Sequence, residues 1–351
     1  MSENWELAVS HASGEYVIVI GDDDALLLHA LCQLDCLLRQ LEVKALRWDR
    51  VYYSWPTLVG YANELRIPLV RTNSLLRAFR MIPIANYSDD YTLLPMLYNS
   101  AIHQDLISML RQRTGRVFLG QSPDVSSGFA FAYLAGTYAS IGLPMSINGG
   151  SAKSTGVNMG GRIGKEKSLI AQEFENLNRQ SGFKCHPTVP DLAVLPAVIA
   201  DAFQQAKEAL FPDEPTLCID RKRLALNCMT TLNRLGLEKS EWESNVRTIQ
   251  VSFADDLTLQ DWFDRTLSDQ LSPPPVSNQR PGRKKGFDGR DLHLDASEFG
   301  VTDVFGAAEL CERLLGISEK SLDELELKGS QDSVNLGRRV RSAARILIKG
   351  Q

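Results

Sequence analysis

The sequence predicts an α/β fold: a mixed sheet with flanking helices, followed by a mainly helical C-terminal part. Three observations carry this expectation. Tyr16-Val17-Ile18-Val19-Ile20 is a short apolar run between Gly14 and Gly21, the pattern of a buried parallel strand. Short apolar runs then alternate with helix-spaced leucines as far as Leu119. Beyond residue 166 the periodicity is almost entirely helical.

Taken in order, residues 3–12 read as a short helix whose apolar face is Trp5, Leu7, Ala8 and Ala12. The strand 16–20 runs into Asp22-Asp23-Asp24. Ligands of open α/β sheets bind beyond the carboxyl ends of strands, so these acids stand where a site would form. In extended chain Asp22 and Asp24 would share one face and Asp23 the other. Three adjacent carboxylates repel, and a hard cation such as Mg²⁺ or Mn²⁺, completed by phosphate, relieves that cost. An acidic turn capping the next helix uses the same residues.

Leu27, Leu31, Leu34, Leu38 and Leu41 predict a helix over 25–41, with His29 a bystander. A second strand is expected at Ala45–Trp48, followed by Tyr52, Tyr53 and Trp55, which either cover the sheet or stack on a sugar. Residues 74–82 and 103–113 read as helices, 93–98 as a compact apolar run and 117–119 as a strand. Pro123 breaks the loop before a helix at 129–135, where Asp124 suits a first-turn carboxylate.

The loop Asn148-Gly149-Gly150-Ser151-Ala152-Lys153-Ser154, continuing to Arg162 and Lys165, resembles a P-loop but has Ala152 where that pattern needs glycine. Its amides and cations suit phosphate, and a plain connection has the same composition. Helices follow at 169–179, 192–210 and 221–235. Residues 271–295, with Pro273-Pro274-Pro275 and Arg283-Lys284-Lys285, read as a linker. The resulting division is 1–165, a helical extension 166–270, the linker 271–295, and a helical segment 296–351. The tail 338–349 is basic and amphipathic, which leaves contact with a membrane surface open.

A chain of 351 residues can bury a full core. Its 38 basic and 43 acidic residues, net −5, argue against a nucleic-acid partner. The six cysteines form no CxxC pair and read as reduced thiols of a cytoplasmic protein. No signal peptide is expected from the polar stretch 1–11. The uncharged run after Asp124 is broken by Gly128, Gly136, Gly142, Pro144 and Asn148, against a spanning helix of about 20 apolar residues.

Several segments together carry a resemblance. They are Asn4-Trp5-Glu6-Leu7-Ala8, Ala12-Ser13-Gly14-Glu15-Tyr16-Val17 and Gly21-Asp22-Asp23-Asp24-Ala25-Leu26. Leu94-Pro95-Met96-Leu97-Tyr98-Asn99-Ser100, Ser122-Pro123-Asp124 and 148–154 add to them. Over roughly the first half of the chain the sequence resembles a bacterial family 2 glycosyltransferase with a GT-A fold. The resemblance implies a metal-dependent, inverting transfer of a sugar from a nucleotide-sugar donor to a glycan or lipid-linked acceptor. It places such chemistry in surface-polysaccharide synthesis at the inner face of the cell membrane. It gives Asp22, Asp23 and Asp24 to a Mg²⁺ or Mn²⁺ ion and the donor diphosphate, and Asp124 to the acceptor proton. Lys153 and Arg162 become loop cations over the diphosphate. It also implies a base-binding strand and loop ahead of the Asn4 helix, where this sequence starts. The expected GT-A domain is therefore incomplete, with weak donor binding and an open sheet edge. Two other readings share the residues: a non-catalytic scaffold of the same fold, and an unrelated Mg²⁺-dependent phosphotransfer enzyme with a nucleophilic Asp beside a Lys.

Overall fold

The structure, a computed structural model, describes residues 2–58, 60–70, 72–154, 156, 162–163, 166–167, 169–267 and 285–316. It is mixed α/β, as the sequence predicts. In chain order the first part comprises α1 (Ser2–Ser10), β1 (Tyr16–Val17), β2 (Ala25–Leu26), α2 (Ala30–Leu41), β3 (Ala45–Ser54), β4 (Glu64–Pro68) and β5 (Ser74–Arg77). Then come α3 (Ala78–Ala85), β6 (Ser100–His103), α4 (Gln104–Thr114), α5 (Pro123–Ala135) and β7 (Thr137–Gly150). The short pair β8 (Arg162–Ile163) and β9 (Glu166–Lys167) precedes five helices: α6 (Leu169–Gln180), α7 (Leu195–Leu210), α8 (Arg221–Leu232), α9 (Lys239–Val251) and α10 (Leu257–Leu267). The last described elements are β10 (Gly286–Phe287), β11 (Asp291–Asp295) and α11 (Val304–Leu315).

Nine strands form one sheet, ordered β1-β6-β3-β4-β11-β10, with β7 parallel to β3 and also pairing β2 and β5. Every other pairing is antiparallel. Both faces are covered. One core packs Val17, Ile102, Phe118, Phe129 and Phe131 with Phe203 of α7. The other packs Trp48, Val51, Tyr53, Leu65 and Ile147 with α2 and α11. A third, around Trp242, Phe253 and Phe263, joins α8, α9 and α10. No helix is long and apolar enough to cross a membrane among the described residues, and all six cysteines are free thiols.

A change of facing along β3 matters for the site. Leu46 and Trp48 point into the same core as Val51 and Tyr53. Strict alternation would not allow that. The β3–β7 register breaks between Trp48 and Arg50, and the break turns Arg50 and Tyr52 to the opposite face.

Several expectations change. The strand at 16–20 narrows to Tyr16–Val17, pairs antiparallel with β6, and ends the sheet. It is not a buried parallel strand: Val17 is buried, while Ile20 is 42% exposed. The chain continues along β6's approach through one bond, Val19 N to Leu97 O (3.0 Å). The helix expected over 25–41 starts at Ala30, because Ala25 and Leu26 pair with Ile147 and Ser146. The strand at 45–48 extends to Ser54. Ser74–Arg77, expected as helix, is β5 on β7, and 117–119 forms no strand.

The expected linker 271–295 is corrected where it is described. Residues 286–295 form the β10–β11 hairpin, and all five residues of β11 pair with β4. Within 296–351, α11 buries Ala307, Ala308, Leu310 and Cys311 in the sheet's core. The Pro-rich and basic stretches 273–275 and 283–284, and the tail 338–349, lie outside the described residues.

Candidate active site

The acidic segment is a turn between β1 and β2, not extended chain, so the expected alternation of its side chains does not hold. Asp24 braces the turn. Its Oδ2 accepts from Gly21 N (2.6 Å), and its Oδ1 from Gly149 N (2.8 Å) and Asn148 Nδ2 (3.4 Å). Asp23 is held twice: its carbonyl accepts from Trp55 Nε1 (3.0 Å), and its carboxylate from the Ser154 hydroxyl. Asp22 is exposed and forms no hydrogen bond or ion pair among the described residues. The close approach at the end of β7 requires glycine, since a Cβ on Gly149 would lie 1.7 Å from the Asp23 carbonyl oxygen.

Tyr98 is the hub. Its hydroxyl accepts from Asn148 Nδ2 (2.7 Å). Burial raises its pKa far above the ordinary phenol value; the Asp24 carboxylate adds to the rise, Asp124 contributes less, and Arg50 opposes it. One side chain thus senses the acidic turn and the first turn of α5 together. Arg50, 9% exposed, lies 4.8 Å from the Tyr98 ring centroid and 5.6 Å from that of Tyr52. Arg66, opposite Tyr52 in register, stacks on the Tyr52 ring at 4.0 Å.

Asp124 follows Pro123 in the first turn of α5. Burial raises its pKa above the usual carboxylate value, against the backbone N–H of Val125, Arg50 and its own N–H, which favour the charged form. A carboxyl raised by burial at a helix N-terminus beside one cation has the character of a general base.

The structure also places the loop cations. Lys153 is exposed and makes no ion pair with the turn among the described residues. Arg162 lies on β8, and its side chain is outside the described residues. Among the described residues, the loop amides of 151–153 are turned to neighbouring hydroxyls. Ser151 N donates to Ser154 Oγ (2.7 Å), Lys153 N to Ser151 Oγ (3.2 Å) and Ala152 N to Thr57 Oγ1 (3.4 Å).

Among the described residues no three His, Cys, Asp or Glu side chains converge as ligands. With Asp24 committed to backbone amides, Asp22 and Asp23 are the carboxylates left to a cation. Mg²⁺ held by one or two carboxylates plus substrate phosphates fits that pair. A cation caged by protein alone does not.

No family model matches the sequence, and no curated protein matches it significantly.

Sequence reasoning singled out the acidic turn, Asp124 and the aromatic residue Tyr52, but not Arg50 and Arg66, which lie against the Tyr52 ring. The one available signal was the charged Arg50 between Trp48 and Val51 in a strand that also carries Arg47 and Asp49. Alternation would have put Arg50 on the same face as Trp48, so the register break hid its direction.

Proposed function

We propose that the chain is a metal-dependent glycosyltransferase, acting by inversion on a nucleotide-sugar donor and a glycan or lipid-linked acceptor. The observation that carries this reading is Tyr98, which shares the Asn148 amide with Asp24 (2.7 and 3.4 Å) and whose pKa, raised most by burial, also reflects both Asp24 and Asp124. The GT-A assignment, surface-polysaccharide synthesis and a place at the inner face of the cell membrane belong to the same proposal and rest on the family resemblance.

In this reading Asp22 and Asp23 hold Mg²⁺ or Mn²⁺, which when bound neutralises charge on the departing nucleoside diphosphate. Asp24 keeps the turn in shape through Gly21 and Gly149. Asp124 takes the proton of the acceptor hydroxyl as that oxygen attacks the anomeric carbon. Titration calorimetry with Mn²⁺ and nucleoside diphosphates should give metal-dependent heat. Asp124→Asn should keep that heat and lose transfer by about a hundredfold or more, the usual scale of a general base.

A scaffold role without catalysis is the second reading. Its observation is that β1 ends the sheet with no strand on its outer side among the described residues, which leaves the acidic turn open there. Absence of heat with every nucleoside diphosphate would favour it.

A further inference from the structure

Two arginines are buried in the described part of the chain, and they are satisfied very differently. Arg47, 4% exposed, donates to Asp49 at 2.5 Å, to Ser140 Oγ at 2.8 Å and to its neighbour's carbonyl at 3.1 Å. Arg50 has one bond at the limit of reach, Nη2 to Tyr52 Oη at 3.5 Å. No carboxylate lies within ion-pair distance of it among the described residues. Its Nε and Nη1 carry no bond, yet neither is among the sealed, unpartnered polar atoms, so both reach solvent. Two aromatic rings lie against it, Tyr98 at 4.8 Å and Tyr52 at 5.6 Å, and the Tyr52 ring also carries Arg66.

A buried guanidinium without a counter-charge is costly unless a group from outside completes it. Asp124 attracts Arg50 without pairing with it, more weakly than the tyrosines around it. A second cation, Arg66, sits beyond Tyr52 and is offset in part by Asp291 at 3.8 Å. Arg50 therefore presents a positive charge that no carboxylate pairs with among the described residues, with forked N–H donors left over. That is the chemistry that recognises an oxyanion, carboxylate or phosphate, through paired hydrogen bonds.

We infer that Arg50, framed by Tyr52 and Tyr98, is a receptor for an oxyanion carried by the acceptor. The acceptor is then an acidic or phosphorylated saccharide rather than a neutral one. Placement decides which substrate bears the charge. Arg50 and Asp124 attract one another, and the proposed reaction gives Asp124 to the acceptor hydroxyl, whereas the donor diphosphate belongs with the cation at Asp22 and Asp23. This assignment rests on the transferase reading, but the anion site itself does not.

The test uses the full chain in a chelator, so that no metal bridges the probe. Inorganic phosphate, glucuronate and glucose are each titrated by calorimetry, and the arginine Nε–H resonances of the unaltered protein are followed in parallel. Phosphate or glucuronate should bind while glucose does not, with one protected arginine signal shifting. Arg50→Met should weaken anion binding at least tenfold, and Arg50→Lys should weaken it less. The stronger of the two anions separates a phosphorylated acceptor from an acidic sugar. The inference falls if neither anion binds, if no arginine signal moves, or if the folded Arg50→Met protein binds as well as the original. Should Arg50→Met fail to fold, the arginine signals of the unaltered chain decide alone. Metal-dependent heat with nucleoside diphosphates but no anion site would sink this inference and spare the transferase. Anion binding without nucleotide heat would do the reverse.

Discussion

At the scale of single residues the proposed chemistry depends on how burial competes at Asp124 with the Val125 N–H and with Arg50. Burial destabilises the carboxylate, and Arg50 opposes it. A base works deprotonated, so the acid limb of the transfer rate should lie above the ordinary carboxylate range. In Arg50→Met the opposing charge is gone, so the limb should move to still higher pH. Arg50→Lys should restore part of the difference. A limb unchanged across the three proteins would exclude Asp124 as the titrating base. The same raised pKa also bears on stability. Its folded-state pKa exceeds the unfolded value, so the contribution is fully present below pH about 3.9 and is lost as pH rises through the folded value. At neutral pH the folded protein therefore holds a carboxylate it would rather protonate. Asp124→Asn should raise the melting temperature there while abolishing transfer, and the gain should vanish in acid. Asp124 and the acidic turn were both legible in the sequence. Arg50 was not, because its direction depends on a break between β3 and β7 that side-chain alternation gives no means of foreseeing.

At the scale of elements the site is a junction of strand ends. The turn after β1, the end of β7 and Trp55 just beyond β3 are locked by Asp24 to Gly149, Asp23 to Trp55, and Trp55 N to Gly150 O at 2.9 Å. Gly149 is where this lock has no slack. A methyl group there would meet the Asp23 carbonyl, a backbone atom that no rotamer change can move aside. Gly149→Ala should therefore displace the turn as a unit. The expected cost is about 1–3 kcal/mol of unfolding free energy, the usual scale of overpacking, together with loss of metal-dependent nucleotide binding. A variant with unaltered stability and binding would show that the approach is looser than the structure has it. Gly149 was visible in the sequence only as part of a glycine-rich loop, whose composition suits a mobile phosphate loop and a plain connection equally. The structure instead spends those amides on Asp24 and on neighbouring hydroxyls. Composition also misled at Ala25 and Leu26. Their leucine-rich context continues a helical period, but cross-strand partners on β7 hold them extended.

For the whole molecule, the issue is what the region after the proline-rich stretch contributes. Composition suggested a linker and a separate tail, because proline and basic residues are local signals whereas strand pairing is a long-range one. β11 pairs residue for residue with β4, from Asp291 with Pro68 to Asp295 with Glu64. It thereby covers an edge that would otherwise be open to association. α11 then lays Ala307, Leu310 and Cys311 against the core beneath β3 and β7. Its Glu312 accepts from His29 N at 3.2 Å and meets His29 Nδ1 at 2.5 Å, at the start of α2 just past the acidic turn. A chain ending at residue 284 should lose this cover and either aggregate or melt without a cooperative transition. One ending at residue 316 should keep the full transition. Leu310→Ala, which empties a 3%-exposed position, should cost about 2–5 kcal/mol in urea unfolding. If the chain ending at 284 unfolds as cooperatively as the longer one, the pairing of β11 with β4 adds nothing to the fold. The division at 165, 270 and 295 expected from the sequence would then stand, and the shape of the acidic turn would owe nothing to α11.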